Sequence, residues 1–354
     1  MKIIITGACA VSARNVLRSL KISEVFKNAT FVGWDMCSIL YGVYSKDFER
    51  LYRVPAVSDS QYRSVVNDIL AKERPDAVMV IPEVEVLYWA KNPFNVPHLV
   101  PPAAFCELAI SKRKLFKLLE GSGLVPDSAD ICRKEAFDDD YIMPLAYPVW
   151  IRDASAGTAS GKGSFLAHNA KELRAWVEIN EGIDLFQISE YCPGGNYGVL
   201  CLFKEGKLLK VAIAERLEYI MAKVAVSGVT GNTSVGRFLN NDKIKKNALA
   251  AIEKVCQATQ SVMNGVVVVD MKGDINGVAR VTEINIRYVA YNCCLASAGF
   301  NLAEYHLLTT LGRSNELSPI QEITFPSGNR FLRDVDGLPV YVPELKQIEV
   351  GQYY

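Results

Sequence analysis

The chain has 354 residues, half of them hydrophobic and 22% charged, and its formal net charge is zero. That length exceeds what one simple core organises, so two or three domains are expected, and the composition excludes a disordered chain. The neutral balance argues against a large nucleic-acid footprint and against an electrostatic hold on a membrane. The apolar start, Lys2 to Thr6, is too short for a signal-peptide core or a membrane span and reads as a buried strand. Gly7 stops it. Ala13, Val16, Leu17 and Leu20 then recur at helical spacing. TFVGWD (30–35) is a second strand, Val65, Val66, Ile69 and Leu70 mark a second helix, and DAVMVIP (76–82) is a third strand. PHLVPP (97–102) is a candidate for a fourth, short strand. Strands alternating with helices predict a parallel sheet covered on both faces, a small doubly wound unit over the first hundred residues. Only Gly7 stands where a GxGxxG fingerprint would require three glycines. Asp35 occupies the place of a ribose-binding acid, but the plainer reading is a strand–helix turn with no nucleotide duty.

A helix over 103–120 ends at Gly121 and Gly123 before Pro126. A short strand (129–133), an acidic loop at Asp138 to Asp140 and PVWIR (148–152) follow. Residues 153–163, DASAGTASGKG, hold only small and polar side chains apart from the charged Asp153 and Lys162. Ser155, Gly157, Thr158, Ser160 and Gly161 would let backbone N–H groups approach a phosphate, although no Walker motif is present. A flexible hairpin loop is the simpler alternative. SFLAH (164–168) is a strand, 169–180 a helix and LFQISEY (185–191) a strand. After Pro193-Gly194-Gly195 comes a hairpin turning at KEGK (204–207), and 242–263 is helical. A helix over 301–311 precedes a tail with strand-like runs such as PVYVP (339–343). Nine cysteines lack CxxC or zinc spacing, which predicts reduced thiols in a cytoplasmic protein. His98, His168 and His306 read as structural.

The most informative stretch is 263–287, MNGVVVVDMKGDINGVARVTEINIR. Asp270 ends an apolar strand, a Gly/Asp turn follows, and the next strand delivers Glu283, Asn285 and Arg287. Alternation along a strand puts those three on one face, and pairing across the turn brings Asp270 near it. Two carboxylates and an amide oxygen suit Mg²⁺, which keeps waters and phosphates as further ligands. Arg287 could hold a phosphate or carboxylate with its planar fork. An amphipathic hairpin with solvated charges is the competing reading.

Four segments in this order resemble the ATP-grasp superfamily, in the branch typified by the large subunit of carbamoyl phosphate synthase. They are SKRKLFKLLEGSGLVP (111–126), YPVWIRDASAGTASGKG (147–163), ISEYCPGGNYGV (188–199) and VVVDMKGDINGVARVTEINIR (267–287). The resemblance implies a mixed α/β and α+β chain, a small doubly wound parallel N-terminal domain (1–106) followed by an ATP-grasp fold of two subdomains. A connecting helix (107–128) would lead to a lid subdomain (129–187), a central subdomain (188–320) and a C-terminal extension (321–354). It implies phosphate contacts from Lys112 and Arg152, and a phosphate-covering loop that includes Ser155, Gly157, Ser160 and Gly161. Glu190, Tyr191 and Cys192 would form the hinge beside adenine, with Asn196 at the ribose. Asp270, Glu283 and Asn285 would bind Mg²⁺, with Mn²⁺ as an alternative, and Arg152 and Arg287 would be catalytic. The chain departs from the family pattern at Ser111, where an aspartate is usual, at Asp153 and Ile286, where prolines are usual, and at Asn196, where an acid is usual. Ser111 is expected to alter a local helix cap rather than the chemistry.

The activity so implied is an ATP-dependent carboxylate–amine ligase. A carboxylate would attack the γ-phosphorus, and an amine would then displace phosphate from the acylphosphate. Amino acids are candidate substrates. Arg216, Arg237 and Tyr288 are candidate substrate contacts, each with an ordinary structural alternative. Rival readings are a carbamoyl-phosphate-type kinase step, a non-catalytic ATP-binding regulator, and an NAD-dependent oxidoreductase resting on Gly7 and Asp35 alone. Expected partners are small molecules, with no nucleic acid or membrane partner and a homodimer as a family-level possibility.

Overall fold

A computed structural model describes residues 1–38, 47–154, 163–224, 232–333 and 348–353. The N-terminal unit runs β1 (Lys2–Thr6), α1 (Val11–Lys21), β2 (Thr30–Asp35), β3 (Phe48–Arg53), α2 (Tyr62–Glu73), β4 (Ala77–Met79) and α3 (Glu83–Lys91). Its four strands pair in parallel, in the order β3-β2-β1-β4. Ile3 and Ile5 face one core and Ile4 the other, so a continuous apolar run is what a sheet covered on both sides requires. Gly7 turns the chain off β1 at φ +63°, and a Cβ there would lie 2.3 Å from the Pro82 ring. Both Asp35 oxygens accept backbone hydrogens, from Cys9 and Cys37 at 3.0 Å each, so this acid fastens the turns at the sheet end.

Three expectations are corrected here. FERLYR forms β3, which periodicity did not reveal because Glu49 and the ion-paired Arg50 interrupt its apolar positions. Residues 97–102 are not a strand, although the Pro97 carbonyl accepts from Val78 N–H at 2.9 Å. The helix expected over 103–120 is two helices, α4 (Ala103–Ala109) and α5 (Lys112–Leu119). Ser111 separates them and caps α5, its hydroxyl accepting from Lys114 N–H at 3.4 Å.

The sheet of the segment expected as a lid follows: β5 (Ser128–Cys132), α6 (Asp139–Ile142), β6 (Val149–Asp153), β7 (Phe165–Ala167), α7 (Ala170–Ile179) and β8 (Leu185–Glu190). Its strands are antiparallel in the order β5-β8-β6-β7, over a separate small core that includes Ile151, Leu173 and Phe186. The third unit comprises β9 (Asn196–Lys204), β10 (Lys207–Tyr219), β11 (Thr233–Leu239), α8 (Asp242–Thr259), β12 (Gly265–Gly273), β13 (Ala279–Asn285), α9 (Asn292–Ser297), α10 (Leu302–Thr310) and β14 (Phe331–Leu332). Its antiparallel sheet has the order β13-β12-β9-β10-β11-β14. Val267 and Val269 pack in the core shared with α8, and Val266 and Val268 in the core shared with α10. Both faces being covered accounts for the unbroken VVVV run. The tail returns to the N-terminal unit, where Tyr353 bridges to Tyr52, while PVYVP (339–343) lies outside the described residues. Among the described residues no helix is long and apolar enough to cross a membrane.

His306 on α10 is fully buried. Its Nε2 lies 2.8 Å from the Leu99 carbonyl and its Nδ1 2.9 Å from the Tyr288 hydroxyl. The carbonyl can only accept, so Nε2 carries the proton and Nδ1 accepts from the tyrosine. Burial pulls the imidazole down to about 4. The unfolded chain therefore binds a proton that the folded chain refuses between about pH 6.5 and 4, and stability falls as pH falls through that window. Wild type is expected to lose about 2 kcal/mol more between pH 7 and pH 5 than His306→Gln does, read from urea unfolding. Equal slopes for the two proteins would contradict the neutral buried imidazole.

Candidate active site

The β5-β8-β6-β7 sheet, the six-stranded sheet and the start of α1 enclose a cleft of about 1340 Å³, larger than most single-ligand pockets. The hairpin of β12 and β13 forms one wall. Asp270 pairs directly across the ladder with Glu283, and a register shift follows immediately after Asp270. Asn285 lies two residues beyond Glu283 on the same face, and its Nδ2 donates to Asp270 Oδ2 and Glu283 Oε1, both at 3.1 Å. The structure thus brings together Glu283 and Asn285, which alternation places on one face, and Asp270 from the paired strand. A half-turn of the amide would present its oxygen in place of its NH₂.

Each carboxylate also meets a cation. Lys112, the first residue of α5, reaches Glu283 Oε2 at 3.1 Å. Arg216 on β10 bonds Asp270 Oδ1 through Nη2, and its Nη1 donates to Asn196 Oδ1 at 3.1 Å. Asn196 in turn donates to the Tyr219 hydroxyl. Burial raises the Asp270 carboxyl despite Arg216. Burial also opposes the charge on Glu283, but Lys112 and the Asn285 amide outweigh it and hold that carboxyl low. The two acids are therefore unequal, with Glu283 the more firmly ionised. Two half-buried carboxylates with an adjacent amide fit a hard cation that keeps water and phosphate ligands. Among the described residues no group of three His, Cys, Asp or Glu side chains is placed to hold a metal.

Arg152 on β6 is 7% exposed. Its Nε donates to Gln187 Oε1 at 2.9 Å, Nη1 reaches the Thr282 carbonyl at 3.4 Å, and the guanidinium lies 4.7 Å over the Phe116 ring. Burial draws it down to about 10, which leaves it cationic. It lines the cleft with Lys112, Arg216, Lys223, Lys272 and Arg287, so six positive groups face one volume. Arg287 sits just past β13 and makes a loose pair with Glu83 at the start of α3, 3.8 Å apart. Sequence reading missed Glu83; its signal was Pro82 followed by acids at 83 and 85, an ordinary helix-start pattern. Lys272 was also missed, and its Nζ donates to the Gly194 carbonyl at 3.1 Å.

Glu190, Tyr191, Cys192 and Asn196 line the cleft where β8 passes into the large sheet. Gly194 exchanges backbone contacts with the hairpin, its N–H on the Gly273 carbonyl at 2.8 Å. A Cβ on Gly194 would meet that oxygen at 2.8 Å, so this approach requires glycine. Two expected substrate residues lie elsewhere. Tyr288 is in the core against His306, and Arg237 is not in the cleft lining but pairs at 2.6 Å with Glu215, which is. Ser155, Gly157, Ser160 and Gly161 lie outside the described residues.

No protein-family model matches the chain, and no curated protein matches it by sequence. Solved structures do match. An L-amino acid ligase from Bacillus licheniformis aligns at TM-score 0.62 and 15% identity, over 90% of this chain and 77% of that one. An N5-carboxyaminoimidazole synthetase from Staphylococcus aureus, complexed with ADP, aligns at 0.65 and 15% identity, over 92% and 79%. A protein of Archaeoglobus fulgidus described as belonging to the ATP-grasp superfamily aligns at 0.53 and 17% identity, over 87% and 88%. At these identities the likeness is one of fold, and the fold of this chain is the ATP-grasp fold of these structures.

Proposed function

We propose that the chain is an ATP-dependent carboxylate–amine ligase acting on small molecules. One observation carries the reading: Asp270, Glu283 and Asn285 converge in a cleft that six cationic side chains also line. Acids for a cation beside bases for phosphates are the equipment of phosphoryl transfer, which needs positioning and charge neutralisation more than a protein nucleophile. The thiol lining the cleft, Cys192, is pushed up to about 11 by burial, which disfavours thiolate catalysis.

In this reading Lys112 and Arg152 hold the ATP phosphates, and Tyr191 and Cys192 lie beside the base. Gly194 spends its N–H on Gly273 and Pro193 has none, so backbone donors to a purine come from the preceding residues. Mg²⁺ or Mn²⁺, held by Asp270, Glu283 and Asn285, would neutralise phosphate charge. The substrate carboxylate, oriented by Arg287, attacks the γ-phosphorus and ADP leaves. The amine then attacks the acyl carbon, phosphate leaves, and an amide bond remains. Likeness of fold to an L-amino acid ligase supports amino acids as the first substrates to test.

A panel of carboxylates against amines, read by ADP and phosphate release with the amide identified by mass, tests this. ADP and amide forming in equal amounts for at least one pair is the expected result. ATP bound tightly, with no turnover on any pair, would favour a regulatory nucleotide-binding role instead.

A further inference from the structure

Resting on the assignment of Asp270 and Glu283 as cation ligands, we infer that Arg216 occludes the cation position until a nucleotide draws it away. The guanidinium fills the Asp270 side of the site: Nη2 bonds Oδ1, and the side chain is 11% exposed beside an Asp270 that is 15% exposed. The Tyr291 ring lies 5.9 Å beneath it. The Asn285 NH₂ bridges the two acids and Lys112 takes the outer oxygen of Glu283, so donors occupy both carboxylates. A bare cation entering here would have to displace Arg216, turn the Asn285 amide, and leave a buried guanidinium without a carboxylate. That exchange is unfavourable, because a buried charge that loses its partner is poorly compensated.

A nucleotide changes the balance. Its phosphates are acceptors for Arg216 and Lys112, and the freed carboxylates can then turn to the cation. Among the described residues the other side-chain partners of Arg216, Asn196 Oδ1 and the Tyr219 and Tyr291 hydroxyls, are neutral. Asp270 therefore carries the charge that holds the guanidinium. Cation and nucleotide are thus coupled through one arginine, and the coupling acts equally in both directions.

The test uses the full chain and Mn²⁺ as the probe, with free Mn²⁺ read by electron paramagnetic resonance and unfolding by calorimetry. In the absence of nucleotide, Arg216→Gln is expected to bind Mn²⁺ about tenfold or more tighter than wild type and to gain thermal stability from it. Arg216→Lys, which keeps the charge, is expected to stay near wild type. Asn196→Asp gives Arg216 a second carboxylate and is expected to raise nucleotide-free Mn²⁺ affinity while leaving the arginine in place, so the inference stays testable if Arg216→Gln does not fold. Wild type binding Mn²⁺ alone as tightly as both Arg216→Gln and Asn196→Asp would overturn the occlusion and leave the cation site standing. Mn²⁺ binding to none of these proteins, even with a non-hydrolysable ATP analogue, would overturn the cation site and the occlusion together.

Discussion

Glu283→Gln is expected to remove cation-dependent ATP turnover while the chain still folds. The substitution keeps the side-chain volume, and the amide oxygen can still accept from Lys112, whose Nζ now lies 3.1 Å from Oε2. What disappears is one of the two negative charges facing the proposed cation. Of the pair, Glu283 is the acid held firmly ionised, whereas burial pushes Asp270 up. Removing one preorganised electrostatic contact to a charged transition state typically lowers rates about 10²- to 10³-fold, and loss of the cation adds to that. A fall of about 10³-fold or more in ADP release is expected, with an unchanged circular dichroism spectrum and a melting temperature within a few degrees of wild type. Turnover within about tenfold of wild type would remove Glu283 from the site.

The second large effect concerns folding. Asp270 and Arg216 are 15% and 11% exposed, so their pair is not a surface ion pair of negligible value. Breaking it from one side leaves an uncompensated charge in a poorly solvated cleft, typically about 3–5 kcal/mol. Asp270→Asn and Arg216→Met are each expected to destabilise by about 3 kcal/mol in chelator-treated protein. The double variant should lose at least about 1 kcal/mol less than the sum, since neither charge is then stranded. Urea unfolding of the four proteins gives the cycle directly. Additive losses would mean that water already screens the two charges.

Much of the wall of this cleft was legible in the chain itself. The period-two spacing of Glu283, Asn285 and Arg287 and the position of Asp270 at the end of an apolar run imply one face, and the ladder pairs Asp270 with Glu283. The departure at Ser111 was readable as a cap, and its hydroxyl does cap α5. What could not be read were partners distant in the chain. Lys112 and Glu283 are brought together by the packing of α5 against the hairpin, and no local pattern encodes that contact. Arg216 was legible as a carboxylate clamp, but the carboxylate it meets is the chain's own Asp270. Tyr288 looked like a substrate contact from its nearness in sequence, whereas its side chain packs in the core with its hydroxyl on His306. FERLYR escaped notice because its charges are neutralised by tertiary partners, Arg50 bonding the buried Glu73 on α2.

The claim on which the rest depends is that a divalent cation and a nucleotide's phosphates meet at Asp270 and Glu283. Anomalous scattering from crystals grown with Mn²⁺ and a non-hydrolysable ATP analogue locates both directly. The account predicts a single Mn²⁺ peak between those two carboxylates, with phosphate oxygens on the side of Lys112 and Arg152. A nucleotide seated in the N-terminal sheet, or Mn²⁺ bound away from both carboxylates, would contradict it.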